Sequence, residues 1–122
     1  MNASLVLIAA LLTCCSTPDR VLSVQQVLSN SRGVDHKRIR LRGWLEVGHQ
    51  GFINVFSKDR KSCVGLILTR EEMAKYVIFD KRQVLVTGTL DSQGCGRNGF
   101  CDEHICGPAI LRGAMVEPYS TR

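Results

Sequence analysis

Lys37-Arg38-Ile39-Arg40-Leu41-Arg42-Gly43-Trp44-Leu45-Glu46-Val47 alternates without a break between two kinds of residue. Ile39, Leu41, Gly43, Leu45 and Val47 share one parity; Arg38, Arg40, Arg42, Trp44 and Glu46 share the other. Successive side chains of a strand point to opposite faces, so the stretch predicts a long strand with an aliphatic face on a core. Downstream the same period returns in shorter runs. Phe52 to Ser57, Cys63 to Leu68, Gln83 to Leu90 and Ala109 to Val116 each read as a strand. Gly48 to Gly51 and the charged Lys58-Asp59-Arg60-Lys61 read as turns, and Asp91 to Pro108 as a Gly- and Cys-rich loop.

Two capping boxes mark helices. Ser23-Val24-Gln25-Gln26 opens one, with Val24, Val27 and Leu28 on a single face and Asn30-Ser31-Arg32-Gly33 ending it. Thr69-Arg70-Glu71-Glu72 opens the other, its acids in the first turn where the helix dipole favours them, with Met73, Tyr76 and Val77 as the apolar side. Helices this short need a surface to pack on.

The expected fold is therefore mainly β: a five-stranded OB-fold-like barrel with a short N-terminal helix and a helix between strands three and four. Glycines such as Gly43 and Gly88 would let strongly curved strands bend. Another small barrel, such as an SH3-like one, is the rival. Ser23-Val24-Gln25-Gln26-Val27-Leu28, Ile39-Arg40-Leu41-Arg42-Gly43 and Val84-Leu85-Val86-Thr87-Gly88-Thr89-Leu90 together resemble the small OB-fold domain proteins of bacterial lipoproteins. That resemblance spans nearly the whole chain after its N-terminus and implies a barrel without naming a ligand.

Compartment is read from the first residues. Leu5 to Leu12 is an unbroken apolar run, too short for a membrane helix, which needs about 20 residues. Thr-Cys-Cys-Ser follows it, resembling a lipoprotein signal in which Cys14 or Cys15 is lipidated. No Lys or Arg precedes the run, and neither Thr13 nor Cys14 is the small residue usual before the modified cysteine. A buried N-terminal strand or helix is the alternative. The expected organisation is a signal at 1–15, a tether at 16–22, an OB-fold-like domain at 23–117 and a tail at 118–122. The expected location is the cell envelope, membrane-anchored and facing the periplasm.

All 16 Lys and Arg follow the signal, against 11 Asp and Glu, so the exported domain keeps the net charge of +5. That charge favours polyanions or an anionic membrane as neighbours, though it also serves solubility. Arg38, Arg40, Arg42 and Trp44 are the candidate ligand-binding residues, with Phe52 and Phe56 on the next strand beside them. A plainer reading has the arginines merely solvating an exposed strand. Three arginines and one Trp fall short of a continuous basic groove, and an exported protein rarely meets nucleic acid.

Cys63, Cys95, Cys101 and Cys106 remain. Under export we expect two disulfides, Cys63 with Cys106 and Cys95 with Cys101, among the three pairings that four cysteines allow. The alternative, in a cytosol, is a zinc site built from Cys95, Cys101, His104 and Cys106, although C-x5-C-x2-H-x-C lacks a paired knuckle. Asp102-Glu103-His104 could supply an acid and a base, but adjacent side chains diverge and no nucleophile accompanies them. His36 and His49 stand alone in turns. The expected role is a non-enzymatic binding or structural domain without a cofactor, whose partner is an envelope protein or a polyanion.

Overall fold

The computed structural model describes residues 20–48, 52–94, 106 and 108–120. Cys14, Cys15, His49, Cys95, Cys101, Asp102, Glu103 and His104 lie outside the described residues. In chain order the elements are β1 (Val21–Ser23), α1 (Val24–Ser29), α2 (Ser31–Val34), β2 (Arg38–Val47), β3 (Ile53–Phe56) and β4 (Cys63–Leu66). They continue with α3 (Arg70–Tyr76), a 3-10 turn (Val77–Phe79), β5 (Gln83–Asp91) and β6 (Ile110–Pro118).

Strands β2 to β6 close a mixed barrel in the order β2-β3-β4-β6-β5, with β5 returning to β2. All pairings around it are antiparallel except β4 with β6. This is an OB-fold-like barrel. The long strand β2 closes it by bending between two partners: Arg38 to Trp44 pair with β5, whereas Trp44 to Val47 pair with β3.

Alternation in β2 survives in detail. Ile39, Leu41, Gly43 and Leu45 are buried, while Arg40, Arg42, Trp44 and Glu46 are half-exposed. Leu41, Leu45, Val55, Val64, Val84, Val86, Leu90 and Leu111 are fully buried and fill the barrel. Helix α1 packs onto it through Val24 and Val27, at 1% and 0% exposure. Both capping boxes form. The Gln26 backbone N–H donates to Ser23 Oγ (3.1 Å) and the Ser23 N–H to Gln26 Oε1 (2.8 Å). The Glu72 N–H donates to Thr69 Oγ1 (3.1 Å) and the Thr69 N–H to Glu72 Oε1 (2.9 Å).

The structure departs from expectation at element edges. Residues 21–23, partly assigned to a tether, form β1 parallel to Arg40–Arg42 of β2. Asn30 to Gly33 does not simply end a helix; α2 continues the chain as a separate turn of helix. Val77 is exposed, because α3 stops at Tyr76 and the tighter 3-10 turn rotates Val77 and Ile78 off the apolar face while Phe79 returns to the core. In the tail, the Tyr119 N–H donates to the Gln83 carbonyl at 3.1 Å, extending the sheet beyond β6.

Cys63 and Cys106 are joined by a disulfide with Cα atoms 5.7 Å apart, inside the usual range. The Cys106 N–H also donates to Asn54 Oδ1 at 3.0 Å. Asn54 and Cys63 sit on the outer parity of β3 and β4, so both bonds hold residue 106 against the outside of the barrel.

Candidate functional site around Trp44

Trp44 occupies the point where β2 changes partner, directly opposite Phe56 on β3 and Gln83 on β5. Two clefts open beside its half-exposed indole. One, of about 290 Å³, is walled by Ser23 and Gln25 of the α1 start, by Arg42, and by Ser57 and Lys58. The other, of about 300 Å³, shares Trp44, Ser57 and Lys58 and adds Glu46, Arg60 and Lys81. Among the described residues, the two clefts that share Trp44 are lined by four cations, Arg42, Lys58, Arg60 and Lys81, and one carboxylate, Glu46, while Asp59 of the adjoining turn reaches Gln25 at the edge of the first cleft.

The cations are held by built loops. Residues 57–62 close on themselves: the Ser57 N–H donates to the Ser62 carbonyl (2.9 Å) and the Arg60 N–H to the Ser57 carbonyl (2.9 Å). Asp59 organises the interior of this turn, with Oδ1 accepting from Ser57 Oγ (2.6 Å) and from the Lys61 N–H (3.0 Å). The Ser57 hydroxyl bond, followed by the Lys61 amide, holds the Asp59 carboxyl below its ordinary pKa. Gln25 Nε2 reaches Asp59 Oδ2 at 3.4 Å and ties α1 to the turn across the first cleft.

Lys81 is fixed from the other side. Its N–H donates to the Leu45 carbonyl (2.7 Å), the Leu45 N–H donates to the Arg82 carbonyl (3.0 Å), and Asp80 Oδ1 accepts from the Val47 N–H (2.8 Å). Arg60 and Lys81 both adopt left-handed backbone, with φ of 63° and 64°. That region disfavours residues bearing a Cβ, and such strain concentrates where function needs a side chain. Arg60 pairs with Glu46 and lies 5.4 Å from the centre of the Phe56 ring. That pair offsets the two charges and leaves Arg42, Lys58 and Lys81 as the cleft cations without an ion pair among the described residues.

Of the residues expected from sequence, the structure brings Arg42 and Trp44 into one site. Arg38 is six residues from Trp44, a separation of about 20 Å along a strand, and it borders a different cleft. Arg40 lies between β1 and β5, opposite Val21 and Thr87. Phe56 flanks Trp44, whereas Phe52 precedes β3 and lies outside the paired register. Sequence reasoning missed Lys58, Arg60 and Lys81 because loop residues carry no period; the signal available was Lys58-Asp59-Arg60-Lys61, a turn denser in charge than a turn requires. Of the zinc set only Cys106 lies among the described residues, and its sulfur is taken by Cys63.

Compared with known proteins, the chain matches no family model and no curated protein. The chemistry of the site therefore rests on these residues. Guanidinium and ammonium groups around an indole can hold anionic groups at their edges and a planar ring on the indole face.

Proposed function

We propose that this chain is a non-enzymatic binding module of the cell envelope, exported and lipid-anchored through Cys14 or Cys15. On this reading it holds an anionic polymer in the paired clefts at Trp44. The observation that carries it is the placement of Arg42, Lys58 and Lys81 in the two clefts that share Trp44, with Lys81 held on left-handed backbone and Arg60 paired to Glu46. The Cys63–Cys106 disulfide supports an oxidising compartment, where such bonds persist. In that compartment a carboxylate- or phosphate-bearing polysaccharide is the ligand class at hand. A sugar ring stacks on the indole face while its acidic groups meet the cations.

Titration calorimetry of the purified protein with alginate, neutral dextran and a single-stranded oligonucleotide tests the reading. Alginate is expected to bind with an affinity that falls as salt rises, and dextran not at all. Equal binding of dextran, or no binding of alginate, overturns it. Tighter binding of the oligonucleotide replaces it with nucleic-acid recognition.

A further inference from the structure

A third cleft lies on another side of α1, at the end of β2 remote from Trp44. Its volume is about 450 Å³, within the usual range for small-molecule sites. Leu22, Val34 and Ile39 give it apolar walls, and Arg20 and Arg38 stand over them as exposed cations. No carboxylate lines it among the described residues. Neither arginine takes part in an ion pair among those residues; Arg38 Nη2 only approaches Met115 Sδ at 3.9 Å. The rim also offers amide donors. Gln26 spends its Oε1 on the Ser23 N–H and keeps its NH2, and the Asn30 side chain makes no capping bond to α2.

Apolar walls beneath two unpaired guanidiniums describe an amphiphile with an anionic head. We propose that this cleft binds an anionic phospholipid, its phosphate held by Arg20 and Arg38 and the start of an acyl chain lying on Leu22, Val34 and Ile39. Guanidinium forks match phosphate oxygens in pairs, and the bond is charge-assisted. Position in the chain favours lipid over free phosphate. Arg20 is five residues beyond Cys15, a span of at most about 18 Å of extended chain. That placement rests on the lipid anchor proposed above; the binding chemistry does not.

A lipid anchor would carry the protein to any vesicle, so the test uses short-chain lipids in solution. The full chain is titrated with dihexanoylphosphatidylglycerol, dihexanoylphosphatidylcholine and inorganic phosphate while backbone amide shifts are followed. Phosphatidylglycerol is expected to shift Leu22, Val34 and Ile39 saturably, with phosphatidylcholine much weaker. Arg20→Gln and Arg38→Gln are each expected to weaken binding about tenfold, and Arg42→Gln to leave it unchanged. Both replaced arginines are exposed, so the fold tolerates the change, and the shift map of the unaltered chain stands without them. Equal response to both lipids overturns the proposal. So does inorganic phosphate binding as tightly as phosphatidylglycerol, or shifts confined to the surroundings of Trp44. Failure of the alginate titration leaves these outcomes untouched, so the two readings fail separately.

Discussion

Lys81 and Gly43 are each placed where backbone and side chain disagree with an ordinary residue. Lys81 holds φ at 64°, at an expected cost of about 1 kcal/mol relative to glycine. Lys81→Gly should therefore leave stability equal or raise it by up to ~1 kcal/mol in a denaturant titration, while lowering alginate affinity. Unchanged affinity would show that the strain serves no ligand. Gly43 is the reverse case. A Cβ there would fall 2.5 Å from Val55 Cγ1, 2.8 Å from the Phe56 carbonyl oxygen and 3.2 Å from Val24 Cγ2. The glycine is needed less for strand bending than for the close packing of α1 and β3 on β2. Gly43→Ala should cost about 1–3 kcal/mol by overpacking, read as a lower denaturant midpoint.

The two capping boxes offer a contrast between elements. That of α1 uses neutral Gln26, and that of α3 uses Glu72, whose carboxyl is held below its ordinary pKa by the Thr69 backbone N–H and then its hydroxyl. With the folded pKa below the unfolded one, the fold favours the ionised carboxyl. The stabilisation is full above the unfolded value and is lost as pH falls through the folded one. Acidification from the ordinary glutamate range downward should therefore loosen α3 and spare α1. Hydrogen exchange, corrected for intrinsic rate, should show protection falling at Met73 and holding at Asn30; Glu72→Gln should remove the difference. Both boxes were legible in sequence because they are local, a hydroxyl and a carboxamide or carboxylate three residues apart. The strand β1 was not, since three residues carry no period and their parallel pairing with β2 needs the chain to cross back through α1 and α2. Helix α2 was hidden for another reason: Asn30 and Gly33 are stop signals in sequence, and here the chain resumes helix after Asn30 and runs through Gly33.

For the whole molecule, the long alternation of β2 and four shorter echoes were enough to specify a barrel, because closing it needs only consistent faces and short connections. The candidate site was half legible. Arg42 and Trp44 belong to β2 and follow its period, but Lys58, Arg60 and Lys81 line the same clefts from loops that only the closed barrel brings together. The barrel is further stapled by Cys63–Cys106, 43 residues apart. Cys63→Ala with Cys106→Ala should lower stability by about 2–5 kcal/mol, seen as a fall in Tm; an unchanged Tm would mean that the bond constrains little beyond the Asn54 contact to residue 106.

The central claim is that anionic ligands meet this protein at Trp44, and the chain reports on that directly, for Trp44 is its only tryptophan. Its emission should change saturably as alginate is added at low salt. The change should weaken as salt rises, and Arg42→Gln with Lys58→Gln should shift it to about tenfold higher concentration. Emission that ignores alginate, or that responds equally to neutral dextran, would contradict the account.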